Sequence, residues 1–130
     1  MQGLHLTADL HHCRCDMRWL TDADALLAAC EARVQAAGLR PVARLAHAFP
    51  ATAAGPGGVT ATVLLAESHL CIHTWPERGA VTLDVYVCNG SGDHEAAARN
   101  LEASLLTLFV PMRVQQQALR RGDLQGGMTE

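Results

Sequence analysis

Not one lysine occurs among the 130 residues of this chain; all ten basic side chains are arginines. Pyridoxal phosphate is held through a lysine amine, so that cofactor is excluded, and any electron-sink chemistry needs another carbonyl. Runs of like charge are also missing, and the formal net charge is only −3. Neither nucleic acid nor an anionic membrane surface is therefore an expected partner; a small molecule or another protein chain is. No stretch approaches the roughly 18 uncharged apolar residues of a membrane span. The opening MQGLHLTADLHH lacks the basic start and apolar run of a secretory signal, so a soluble, cytoplasmic protein is expected. Paired C-x-x-C spacing is absent too. The odd count of five cysteines (Cys13, Cys15, Cys30, Cys71 and Cys88) points to reduced thiols rather than a disulfide framework.

What is present is apolar content, 49% of the chain, enough for one domain spanning residues 1–130 with its own core. Residues 3 to 11 alternate Leu4, Leu6 and Leu10 with His5, Thr7 and Asp9, as a half-buried strand does. Thr21 followed by Asp24 resembles a capping box, and Leu26, Leu27, Cys30, Val34 and Ala37 recur at helical spacing until Gly38, which predicts a helix over 22–37. A second strand follows Pro41 to Phe49, and 50–58, PATAAGPGG, reads as a loop. Val59, Ala61, Val63 and Leu65 mark a third strand running into Glu67 and Ser68. A fourth covers 69–75, and after the turn at Pro76 to Gly79 a fifth spans 80–88. The last of these carries Val81, Leu83, Val85 and Val87 on one face and Thr82, Asp84, Tyr86 and Cys88 on the other. Ala97, Leu101, Leu105, Leu108 and Phe109 form the stripe of a second helix stopped by Pro111, and 112–118 can add a final strand.

The order β-α-β-β-β-α-β predicts an α+β, two-layer sandwich: an antiparallel sheet with two helices on one face. Its uncovered sheet face must be solvated, paired with another subunit, or used as a site.

Residues 66 to 77, AESHLCIHTWPE, concentrate a serine, two histidines, a cysteine, two carboxylates and a tryptophan. A purely structural strand rarely holds so many functional groups. The segment resembles the signature of the S-adenosylmethionine decarboxylase family, small prokaryotic type. GLHLTADL, Phe49, GGVTATVLLAES and LDVYVC also fall in family order, so the likeness covers nearly the whole chain. The chain departs from the pattern in a longer segment between Phe49 and GGVT, in extra residues around His12 to Cys15, and in Asn89 where glycine commonly follows the cysteine.

The resemblance implies self-cleavage between Glu67 and Ser68, leaving a β chain of 1–67 and an α chain of 68–130 headed by a pyruvoyl group made from Ser68. A serine suits that step because its oxygen reaches the preceding carbonyl through a five-membered ring and its α-proton can be lost. The pyruvoyl group then takes substrate as a Schiff base and accepts electrons as carbon dioxide leaves, the role pyridoxal phosphate plays elsewhere. His73 matches the histidine assigned to processing, Thr60 a hydroxyl residue of the same reaction, and Cys88 the cysteine that returns a proton to the decarboxylated carbon. Phe49 and Glu77 match substrate contacts, an aromatic for adenine and a carboxylate for ribose hydroxyls, and Trp75 or Tyr86 could approach a sulfonium. The implied activity is decarboxylation of S-adenosylmethionine to supply an aminopropyl donor for spermidine synthesis, by a homodimer of cleaved protomers.

Two other functions remain open on the sequence: arginine or ornithine decarboxylation with the same chemistry, and an uncleaved, non-catalytic partner subunit. A metal is not expected. His69, Cys71 and His73 share a strand face, and His11-His12-Cys13-Arg14-Cys15 is a second cluster, but neither has the spacing of a structural zinc site.

Overall fold

Alternation of buried and exposed side chains runs along most of the strands, and it sets the architecture. A computed structural model describes residues 2–90 and 92–122. It contains β1 (Gly3–Cys13), a short helix α1 (Arg18–Thr21), α2 (Ala23–Ala36), β2 (Pro41–Ala48), β3 (Val59–Leu65), β4 (Ser68–Trp75), β5 (Ala80–Cys88), α3 (Glu95–Phe109) and β6 (Pro111–Arg121). A single 3-10 turn, Pro76–Arg78, joins β4 to β5. The six strands form one sheet in the order β2-β3-β4-β5-β1-β6, every neighbouring pair antiparallel.

The expected α+β two-layer arrangement is what forms. Leu4, Leu6, Ala8 and Leu10 of β1 point to the same side as Val59, Ala61 and Val63 of β3, Leu70 and Ile72 of β4, and Val81, Leu83, Val85 and Val87 of β5. Leu26, Cys30 and Val34 of α2 and Leu101, Leu105 and Phe109 of α3 close that side into one core. Each large side chain fully buried there contributes about 1.5–3 kcal/mol relative to exposure. The two long helices are tied to each other by Arg33 Nε, which donates to the Ser104 carbonyl at 3.3 Å. Among the described residues, no helix lies on the opposite face of the sheet.

Three boundaries differ from the sequence expectation. The cap of α2 is Asp22, whose carboxylate accepts from the Ala25 amide at 3.1 Å, and not Thr21. Thr21 instead ends α1, where its hydroxyl donates to the Met17 carbonyl at 3.0 Å, so it is unavailable to cap the next helix. The final strand runs from Pro111 to Arg121 rather than 112–118, because it pairs along the whole of β1. The Glu67–Ser68 bond lies not at the end of β3 but where a two-residue hairpin turn, Ala66 and Glu67, enters β4, with Leu65 paired to Ser68.

Candidate active site

The β3–β4 hairpin places functional side chains at both of its ends. At the end away from the turn, register pairs Thr60 with His73, and Thr60 Oγ1 lies 3.0 Å from His73 Nδ1. Both belong to a cleft of about 420 Å³ whose walls also include Phe49, Trp75 and Glu77. Phe49 and Trp75 are 52% and 39% exposed, large aromatic surfaces left open beside a cavity. The rings are supported from behind: His47 meets Phe49 edge-on at 4.7 Å between centroids, and His73 is tilted against Trp75 at 6.1 Å.

Buried Thr74 fixes this end. Its hydroxyl donates to the Leu20 carbonyl at 2.7 Å and accepts from the Val59 amide at 2.8 Å, pinning the start of β3 to β4 and both to α1. Gly58 is required for the same closure, since a Cβ there would stand 2.1 Å from the Thr74 carbonyl oxygen. The Gly- and Pro-rich segment before it forms the cleft's outer wall, with Phe49 N–H donating to the Gly58 carbonyl at 2.9 Å.

At the turn end stand Glu67, Ser68 and Cys88. The Cys88 amide donates to Ser68 Oγ at 3.1 Å. A Cβ built on Gly90 would lie 3.4 Å from Glu67 Oε1 and 3.6 Å from Cys88 Sγ, so the thiol and the carboxylate flank one small residue beside the serine. Cys88 is buried, 7% exposed. Glu67 has φ of +61°, a left-handed backbone uncommon for a residue with a Cβ.

Ser68 and His73 do not meet within one chain. Five residue steps along the strand set them about 16 Å apart, and an odd interval puts them on opposite faces. Ser68, Leu70, Ile72 and Thr74 form one row of β4, and His69, Cys71, His73 and Trp75 form the other, on the bare face. The sequence-expected residues therefore fall into two sets: Thr60, His73, Phe49, Trp75 and Glu77 together, and Glu67, Ser68 and Cys88 together.

A third group lies between them on the bare face; from sequence His69 and Tyr86 entered other sets, and His5 and Asp84 were not joined to them. His5 Nε2 and His69 Nε2 both reach Asp84 Oδ2, at 2.9 and 2.8 Å, and Arg121 reaches His5 Nδ1 at 2.8 Å. Tyr86 stacks on His69 with centroids 5.7 Å apart and meets His5 edge-on at 5.6 Å. An arginine can only donate, so His5 Nδ1 accepts and its proton sits on Nε2, which donates to Asp84. Among the described residues this is the only group of three potential metal ligands that converges, with ligand atoms within 4.8 Å of one another. A divalent ion held there would need the Nε2 lone pair of His5 that Arg121 now keeps protonated. His69, Cys71 and His73 do not converge: Cys71 Sγ turns to Thr62 Oγ1 at 3.2 Å, and His73 to Thr60.

Cys13 and Cys30 pack in or against the core. Burial, reinforced by the neighbouring Cys15, pushes Cys13 up to about 11, and burial takes Cys30 to about 12, so both stay protonated at neutral pH.

A sequence model of the S-adenosylmethionine decarboxylase family matches residues 4–122. The chain belongs to the S-adenosylmethionine decarboxylase family. It is similar to the S-adenosylmethionine decarboxylase proenzyme of Aquifex aeolicus, 38% identical over 95% of this chain and 83% of the relative. It is also similar to the proenzyme of Picrophilus torridus, 34% identical over 93% of this chain and 85% of the relative. The crystal structure of the adenosylmethionine decarboxylase from Aquifex aeolicus superposes with a TM-score of 0.79 at 34% identity, covering 92% of this chain and 90% of that one. Family membership thus extends over all six strands and both long helices, and not only over the motif at 66–77.

Proposed function

We propose that this chain is a proenzyme that cuts its own backbone between Glu67 and Ser68 and then decarboxylates S-adenosylmethionine. The observation that carries the reading is the position of Ser68: first residue of β4, directly after a left-handed Glu67, its Oγ held by the Cys88 amide at 3.1 Å. In the first step Ser68 Oγ attacks the Glu67 carbonyl, the C–N bond breaks, and the hydroxyl proton ends on the freed amine. Loss of the Ser68 α-proton then expels Glu67 as a carboxylate, and water releases ammonia, leaving the chain ends 1–67 and 68–130.

The surroundings of Ser68 suit a pyruvoyl group, which supplies the electrophilic carbonyl and electron sink of the reaction. A buried thiol, Cys88, stands at the same strand ends, placed to hold a proton for the decarboxylated carbon. In the cleft, Phe49 and Trp75 offer flat apolar faces to a purine, Glu77 offers acceptors to ribose hydroxyls, and the Thr60–His73 pair offers a base with its orienting hydroxyl.

These two sets complete each other only between chains. The bare sheet face, with His73 and Trp75 exposed on it, is the surface a second copy would cover in a homodimer, and an isologous pairing presents each copy's cleft to the other's hairpin.

Mass spectrometry tests the reading. Incubated protein is expected to give two fragments meeting at residues 67 and 68, the larger-numbered one bearing a pyruvoyl mass, and Ser68→Ala a single intact mass. Carbon dioxide released from S-adenosylmethionine, and not from arginine or ornithine, completes the expectation. An intact wild-type chain after long incubation, or turnover of arginine alone, would overturn it.

A further inference from the structure

We propose that the left-handed backbone of Glu67 stores strain at the scissile bond and that its release speeds self-cleavage; this rests on the cleavage reading above. Leu65 pairs with Ser68, so the β3–β4 connection is a hairpin of two turn residues. Turns whose twist matches such a hairpin need positive φ at the first turn residue. Ala66 is not in that region; Glu67, the second turn residue, is, at +61°. Glycine, asparagine and aspartate are the residues that enter this conformation readily. With a Cβ present, the clash falls on the carbonyl that follows, and at Glu67 that is the carbonyl Ser68 must attack.

The surroundings leave the turn no easy way to relax. Register runs unbroken from Leu65–Ser68 through Thr60–His73 on one side of β4 and from His69–Tyr86 to Trp75–Ala80 on the other. The Cys88 amide fixes Ser68 Oγ, and the Glu67 side chain rests over Gly90. A strained residue persists where its neighbours over-determine it, and here they are the elements that position the nucleophile.

Acyl transfer relieves this constraint. When the Glu67 carbonyl carbon bonds to Ser68 Oγ and its bond to nitrogen breaks, the backbone path runs through the serine side chain. That path is longer by an atom and gains rotation about Cα–Cβ and Cβ–Oγ. Glu67 can then leave the left-handed region while β3 and β4 stay paired. Strain present in the precursor and partly lost at the transition state raises the rate by the portion lost.

The test follows first-order cleavage of freshly synthesised full-length chain by mass spectrometry, for the parent and for Glu67→Gly, Glu67→Asn, Glu67→Ala and Glu67→Gln. Precursor stability is read by denaturant unfolding of the same substitutions in a Ser68→Ala chain, which does not cleave. Glu67→Gly is expected to cleave about tenfold more slowly than the parent while its uncleavable form unfolds at higher denaturant. Glu67→Asn should shift the same way by less, and Glu67→Ala and Glu67→Gln, which keep the crowding Cβ, should cleave faster than either. Val110→Gly, which removes a left-handed residue remote from the bond, should leave the cleavage rate unchanged. A Glu67→Gly chain that cleaves as fast as the parent, or cleaves slowly because its precursor is destabilised, would overturn the strain inference alone. Glu67→Gln as slow as Glu67→Gly would assign the effect to the carboxylate and overturn it too. A parent chain that never cleaves overturns the self-cleavage reading and this inference with it.

Discussion

Cys88 and Ser68 share a hydrogen bond but have separable duties. In the proposed mechanism, cleavage uses the serine oxygen and a base, whereas the thiol is needed only once a carbanion must be protonated. Cys88→Ala is therefore expected to yield the same two fragments as wild type while decarboxylation falls on the order of 100-fold, the usual contribution of a general acid; equal loss of both activities would contradict the separation. A different residue sets a pH dependence. Glu102 in α3 is 6% exposed, with Oε1 accepting from Gln116 Nε2 at 3.0 Å and Oε2 without a partner. Burial raises its pKa above the ordinary carboxylate value, opposed by Gln116 and by Arg99. A raised carboxyl binds its proton more tightly folded than unfolded, so its contribution to stability is full below the unfolded pKa and is lost as pH rises through the folded one. Glu102→Gln should flatten the fall in stability over that window, measured by denaturant midpoints across pH in the Ser68→Ala chain.

At the scale of elements, α3 ends on a residue poorly suited to its place. Val110 is the C-cap, with φ of +49° and ψ of +57°, and it precedes Pro111, which further restricts it. A β-branched side chain in this region costs about 1–2 kcal/mol, and Val110 is 44% exposed, so little packing offsets it. Val110→Gly is expected to stabilise the fold by about 1 kcal/mol, read as a higher unfolding midpoint; a lower one would show that the valine's contacts outweigh its backbone. Most elements were legible because burial obeys strand and helix periods: Val59 to Leu65 and Val81 to Val87 place every second side chain in the core. The cap of α2 was missed because Thr21 and Asp22 are both good caps, and only the presence of α1, a four-residue helix with no periodic signal of its own, decides between them.

In the whole molecule the question is which groups can reach Ser68. The distance between Ser68 and His73 was implicit in the period of a strand, yet proximity in a twelve-residue motif suggests the opposite. If the base comes from a second copy, co-expression of a Ser68→Ala chain with a His73→Ala chain should restore cleavage of the His73→Ala chain, because its own serine meets the partner's histidine. If the base acts within its own chain, neither is cut, and fragment masses distinguish the two cases. The His5–Asp84–His69 group could not be read from sequence, since β1 comes to lie beside β5 only through a sheet order that inserts the first strand between the fifth and the last.

The sequence by itself determined the residue types on which the proposed chemistry rests: no lysine for an aldehyde cofactor, a serine and a cysteine within one family motif order, and an alternating pattern that commits one sheet face to two helices. Those properties are local, set by side-chain type and by the period of two along a strand. Tertiary structure alone decided that the motif's groups divide between two ends and two faces of a hairpin, that Asp84 gathers histidines 79 and 15 residues away, and that the Glu67–Ser68 bond leaves a left-handed residue. Each of these depends on strand order and register, which arise when separate segments compete to bury the same core.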